Sequence, residues 1–225
     1  SALLAEQMAM DAGGTFLLRI EDIDQSRARP DWESKIYEDL EWLGLWWPKP
    51  VMRQSDRLGI YQEQLQNLWD RQYLFGCACR RRDVIEAARA PQEGGAPLVG
   101  PDGVIYPGTC RENRSFAMGP ALPRHMALRL WIERAANMAG AIHTQGKVVS
   151  FFESCQGPNG ETGLIEVTAQ DVIKTVGDVV LARRDMGTSY HLSVVLDDAA
   201  QGVTHVVRGE DLFEATKIHV ILQRL

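Results

Sequence analysis

Residues 10–24, MDAGGTFLLRIEDID, change character three times. Upstream of them, Leu3, Leu4, Gln7 and Met8 recur at helical spacing, so residues 1–12 read as a helix. Gly13 and Gly14 end it as a left-handed cap requires. TFLLRI then reads as a short buried strand that runs straight into EDID. An acidic cluster at the carboxyl end of a strand lies where open α/β sheets bind ligands. Helix, glycine turn, strand and acidic tip make half of a βαβ unit, which points to an α/β fold.

The pattern continues outward. PDWESKIYEDLEWLGL opens with Pro30 and Asp31, puts Trp32, Ile36, Leu40 and Leu43 on one face, and closes at Gly44. SDRLGIYQEQLQNLWDRQ predicts a second amphipathic helix, with Leu58, Tyr61, Leu65 and Leu68 facing inward. YLFGCAC, HMALRLWI, GKVVSFFES and DVVLARRD read as strands. YHLSVVLDD predicts a helix, VTHVVRG a strand ending near Arg208, Glu210 and Asp211, and DLFEATKIHVILQRL a last helix. From Arg80 to about Arg114 periodicity fails, and APQEGGAPLVGPDG is turn chemistry.

The chain has 225 residues, room for one large domain or a domain with an insertion. At 45% hydrophobic and 24% charged residues, disorder is not the default. No apolar run is long enough to cross a bilayer. The first residues lack a basic start and carry Glu6 and Asp11, so they read as a helix under way rather than a signal peptide, with the natural N-terminus expected upstream. A net charge of −6 argues against nucleic acid as the dominant partner. The local runs Arg80, Arg81, Arg82 and Arg183, Arg184 read first as solvated faces.

Four cysteines without an export signal suggest a reducing cytosol, where clustered thiols favour metal over disulfide. Cys77, Cys79 and Cys110 supply three soft ligands for a tetrahedral zinc. Composition leaves the fourth open among His125, Cys155 and Tyr106. In RIEDID, Glu21 points opposite to Asp22 if the strand persists, and Asp22 or Asp24 also suits a capping role. Tyr190 has an apolar body and a donor tip. Arg208, before a glycine, offers a planar fork for a carboxylate, though a structural pair with Glu210 or Glu214 is equally open. An acidic tip at Glu21 and a basic one at Arg208 together suit a ligand with an ammonium and a carboxylate, as an α-amino acid has.

LLRIEDID, RQSDRLGIYQEQLQNL, YHLSVVLDDAAQGVTHVVRGEDL and the C-x-C…Y-x-x-x-C loop resemble the glutamyl-tRNA synthetase catalytic core. They resemble more closely its short paralogous family, the glutamyl-queuosine tRNA(Asp) synthetases. The resemblance covers nearly the whole chain and is weakest from about Glu112 to Gly177. It implies a class I aminoacyl-tRNA synthetase fold: a Rossmann-like parallel sheet split into residues 1–76 and 178–225, with residues 77–177 as an inserted zinc-bearing subdomain. It implies a ligase that activates glutamate with ATP and Mg2+ and passes the glutamyl group to the queuosine base of tRNA(Asp). By position, Glu21 would contact the glutamate ammonium and Tyr190 and Arg208 its carboxylate end. Cys77, Cys79, Tyr106 and Cys110 would hold a structural zinc, leaving Cys155 a spare thiol. The expected setting is a cytoplasmic monomer gripping the tRNA(Asp) anticodon stem-loop, with Arg80, Arg81 and Arg82 beside the zinc.

By the resemblance, the family's two ATP signatures are expected to lie outside these 225 residues: the H-x-G-H-like stretch just before Ser1, the K-x-S-K-like loop beyond Leu225. Both stabilise charge developing at phosphorus. No catalytic residue is therefore assigned, and the isolated chain is expected not to form adenylate. Two other readings are a truncated catalytic core charging tRNA(Glu) and a zinc-stabilised binding module without catalysis.

Overall fold

The computed structural model of the protein describes residues 1–89, 96–111, 121–123, 125–141 and 147–225. Residues 90–95 and 112–114 of the turn-rich stretch, and Gly146 at the start of GKVVSFFES, lie outside them.

Helix α1 (Ala2–Asp11) ends at Gly13, whose φ of +65° is the left-handed cap the sequence requires. Of residues 15–20, only β1 (Arg19–Ile20) finds a ladder partner, pairing in parallel with β2 (Met52–Arg53). Helix α2 (Pro30–Trp42) makes the crossover, which completes the βαβ unit. This is the only parallel pairing among the described residues. The larger sheet, in the order β3 (Leu74–Cys77), β6 (Ala127–Leu130), β9 (Val180–Ala182), is antiparallel. The expected parallel sheet is thus reduced to one short ladder within a mixed helix-and-sheet fold. Two hairpins complete the strands: β4 (Val99–Gly100) with β5 (Gly103–Val104), and β7 (Lys147–Glu153) with β8 (Gly163–Thr168).

Helix α3 (Leu58–Asp70) buries Tyr61, Leu65 and Leu68 as its periodicity demands. With β3, β6 and β9 it builds the main core, joined by α5 (Ile132–Ala141), α6 (Ala169–Thr175), α7 (Tyr190–Gln201) and α8 (Thr216–Arg224). Leu65, Leu130 and Leu181 are almost fully buried there. Each such side chain contributes about 1.5–3 kcal/mol relative to exposure.

Two expectations are corrected. On α2, Trp32, Ile36 and Leu43 are exposed. Leu40 faces inward as expected, but the rest of the covered side is Glu33 and Tyr37 rather than Trp32 and Ile36. Tyr37 and Leu40 pack on Phe16, Leu45 and Trp47, and Glu33 pairs with Arg53 on β2. The apolar spacing specifies a helix, but the partner layer decides which side is covered. Residues 203–209, VTHVVRG, form no strand. Val206 is 58% exposed, and β-branched residues make a strand only where a neighbouring strand supplies the ladder. Helix α4 (Arg81–Ala88) appears inside the stretch that lacked periodicity, capped by Asp83 accepting from the Arg80 backbone N–H at 2.7 Å.

Candidate functional site

The floor of the site is a buried carboxylate. Asp197 on α7 is fully enclosed. It accepts from Gln54 Nε2 at 2.9 Å, Arg57 Nε at 2.6 Å and the Tyr61 hydroxyl at 2.8 Å. A buried carboxylate is tolerable only with such a set of donors. Burial and the Asp197 charge raise the Tyr61 phenol, which keeps it a donor. The network ties α7 to the start of α3. Next to it, Asp198 accepts from Arg19 Nη1 at 2.7 Å, while Arg19 Nη2 reaches Glu21 Oε1 at 3.0 Å. Arg19 and Glu21 are two residues apart, so the strand period puts them on one side. The guanidinium therefore draws Glu21 towards α7.

Asp22 and Asp24 serve other ends. Asp22 Oδ1 accepts from the Ser55 backbone N–H at 2.9 Å. Asp24 accepts from Ser26 Oγ and Arg27 Nε, each at 2.6 Å, and these bonds hold its carboxyl down to about 2.

Tyr190 opens α7 and is half-buried. Burial raises its hydroxyl, the Glu21 carboxylate raises it further, and the Arg208 guanidinium opposes both. Glu21 and Arg208 thus both act on the Tyr190 hydroxyl. Arg208 arrives there on the unpaired segment before the short turn Glu210–Leu212, not at a strand tip. It is held by His219 and Thr216 rather than by Glu210 or Glu214.

The cysteine loop forms a second centre. The sulfurs of Cys77, Cys79 and Cys110 lie within 4.8 Å of one another, the one such ligand cluster found among the described residues. Cys79 Sγ is 3.5 Å from Cys110 Sγ, and the Tyr106 oxygen is 3.5 Å from Cys77 Sγ and 3.7 Å from Cys79 Sγ. A tetrahedral zinc with ordinary bond lengths needs sulfur–sulfur edges of about 3.8 Å and sulfur–oxygen edges of about 3.5 Å. The three edges just given lie near those figures, and the remaining sulfur–sulfur edges are no longer than 4.8 Å. Arg129 lies over the Tyr106 ring at 4.1 Å in a cation–π contact, while burial first, then the facing Cys110 and Cys77 thiols, push the phenol up. Cys155 is exposed and apart, and His125 is not in the cluster. Phe75, Val84 and Tyr106 give the knob a small core of its own.

The catalytic-domain model of class I tRNA synthetases (E and Q) matches residues 1–225. The Glutamyl-Q tRNA(Asp) synthetase of Rhodobacter capsulatus is 57% identical over all of this chain and 75% of the relative. The chain belongs to the glutamyl-Q tRNA(Asp) synthetase family of class I tRNA synthetases. This is a family of ligases. The Glutamyl-Q tRNA(Asp) synthetase of Geobacter sulfurreducens is 35% identical, and the chain spans 62% of its length. The glutamate-tRNA synthetase of Elizabethkingia anophelis shares the fold, with a TM-score of 0.70 at 23% identity over 99% of this chain and 43% of that one.

For this member of the family, several site residues carried no sequence signal of their own. Asp197 and His191 lie inside YHLSVVLDD, but nothing local sets a buried network apart from a helix surface. One trace was available: Tyr190 and Asp197 are seven residues apart, two helical turns, and so share a face. Arg57, Tyr61 and His219 come from segments that read only as amphipathic helix. No helix among the described residues is long and apolar enough to cross a membrane.

Proposed function

We propose that the protein containing this chain activates glutamate with ATP and Mg2+ and transfers the glutamyl group to the queuosine base of tRNA(Asp). The observation that carries this reading is family membership, and the ordering of Glu21 by Arg19 and of Arg208 by His219 supports the residue roles. Glu21 would hold the substrate ammonium. Arg208 and the Tyr190 hydroxyl would hold the carboxylate end. A zwitterion is bound where opposite charges sit a few ångströms apart and are ordered beforehand, and Arg19 orders one of them here. The inserted subdomain would be residues 77–177, between catalytic parts 1–76 and 178–225. Arg80, Arg81 and Arg82, all exposed at the start of α4, would meet the phosphates of the anticodon stem-loop. The protein would act as a cytoplasmic monomer.

The test is an assay of the complete gene product with glutamate, ATP and purified tRNAs. Transfer is expected to tRNA(Asp) carrying queuosine, and not to tRNA(Asp) lacking it or to tRNA(Glu). Charging of tRNA(Glu) instead would overturn the queuosine assignment.

Cys77, Cys79, Tyr106 and Cys110 would bind zinc. With four protein ligands such a site leaves no position for water, so the metal would brace the knob and take no part in the chemistry. Cys110→Ser is expected to lower bound zinc from about one ion per chain to well under half, and Tyr106→Phe to weaken it by about 10- to 100-fold, measured by competition with a chromogenic chelator. Unchanged zinc affinity in Tyr106→Phe would remove Tyr106 from the ligand set.

A further inference from the structure

We propose that His219, backed by His191, is a positioning residue that fixes the Arg208 guanidinium in the orientation that receives the substrate carboxylate. The inference rests on the pocket described under Proposed function and concerns how its arginine is held.

An arginine side chain has five N–H donors, accepts nothing and keeps its charge. Arg208 Nη1 lies 3.0 Å from His219 Nδ1. That nitrogen must therefore accept, and the His219 proton sits on Nε2. His219 Nε2 lies 3.1 Å from His191 Nδ1, so it donates there, and the His191 proton is in turn displaced to its own Nε2. His191 Nε2 faces Asp102 Oδ1 at 3.9 Å. Donation runs in one direction, from a fixed cation through two imidazoles towards a carboxylate. It cannot reverse, because Arg208 cannot accept.

Packing keeps competitors out. Each histidine is 7% exposed, so water is largely excluded from the links. The Tyr190 ring stands edge-on to both imidazoles at 5.7 Å. Burial first, then the facing His191 and Arg208, push His219 down to about 3, so it is neutral under ordinary conditions and remains an acceptor. Asp102 is placed by the turn between β4 and β5. That hairpin is seated tightly: a side chain at Gly177, whose φ is +68°, would meet Ile105 at 2.6 Å. A hairpin of the cysteine-bearing region is therefore linked to the amino-acid pocket.

Two of the five Arg208 donors are committed to the rear, one to His219 and one to the Thr216 hydroxyl. The guanidinium also faces the Tyr190 hydroxyl, on the side where a ligand would enter. A free arginine loses rotamer entropy when it is fixed. Here that ordering is complete before substrate arrives, which favours binding.

The experiment uses the full-length protein and two substitutions. Asparagine can place its amide oxygen near Nδ1 and accept from Arg208. Glutamine places its amide near Nε2 and meets His191 instead. His219→Gln is expected to raise KM for glutamate by about tenfold, with kcat and KM for ATP changed less than about twofold, and His219→Asn to stay within about threefold of the wild type. Equal effects of the two, or a change in kcat alone, would overturn the proposal. A measurement without substitution stands beside it: 15N spectra of the imidazoles should show His219 neutral, with its proton on Nε2, between about pH 6 and 8. A doubly protonated ring there would also overturn it. Arg208→Lys separates the two readings. If it leaves KM for glutamate unchanged, the pocket itself is wrong. If it raises KM while His219→Gln is silent, only the positioning role fails.

Discussion

Glu21→Gln and Arg208→Ala are each expected to lower kcat/KM for glutamate by about 10- to 100-fold or more, since a hydrogen bond to a charged group contributes about 1.5–3 kcal/mol. The two should differ in what they spare. Glutamine at position 21 keeps an acceptor oxygen but loses the charge that attracts an ammonium. Arg19 then retains Asp198, at 2.7 Å, so the local fold has a reason to persist. Alanine at position 208 removes the fork and strands the His219 acceptor. Steady-state kinetics on the full-length enzyme, with KM for ATP as internal control, would read this directly. If both variants lose glutamate and ATP affinity in parallel, the defect is in folding and the zwitterion pocket is not where we place it. The Glu21 effect should also shrink at higher ionic strength, because its carboxylate is 41% exposed and open to screening.

Asp197→Ala is expected to be the most damaging single substitution for stability. It leaves the Arg57 cation, the Gln54 amide and the Tyr61 hydroxyl facing a hole, and breaking a buried ion pair from one side costs about 3–5 kcal/mol. For a chain of this size that is a fall in Tm of roughly 6–20 °C. Asp197→Asn should cost less, since one oxygen still accepts, but it removes the charge opposite Arg57. Calorimetry of the two variants, with Asp198→Ala as the partly exposed comparison, would rank them. A Tm within about 2 °C of the wild type for Asp197→Ala would mean that the carboxylate is not the anchor of α7.

The consequence for function follows from where α7 points. Tyr190 is its first residue and Asp197 lies two turns on, along the same face. Loss of the anchor would free the helix that carries the pocket's phenol. Destabilised but folded Asp197 variants should therefore also bind glutamate less well, an effect that neither Leu65→Ala nor another distant core change would share.

Some of this was legible in the residues themselves. Gly13 and Gly44 follow helix ends with φ of +65° and +77°, positions where a left-handed backbone selects glycine. The α3 stripe of Tyr61, Leu65 and Leu68 is buried as its spacing requires. Cys77 with Cys79, and Tyr106 with Cys110, are close along the chain, but their meeting across about thirty residues was implied only by the family resemblance. On α2 Leu40 is covered as expected, but Trp32 and Tyr37 are both apolar enough to be buried, and only the layer carrying Phe16, Leu45 and Trp47 selects Tyr37.

The residues alone settled local features: where helices stop, which thiols lie two positions apart, and the presence of one acidic and one basic group suited to an amino acid. These depend on backbone sterics and on neighbours a few residues away. The tertiary structure alone decided that 203–209 is not a strand, that Asp197 is enclosed by Gln54, Arg57 and Tyr61, and that two histidines stand behind Arg208. Each of these pairs residues far apart in the chain, such as Asp197 with Gln54 and His191 with His219. A hydrogen bond between distant segments leaves no period in either one, so it becomes visible only once packing has brought the partners within reach.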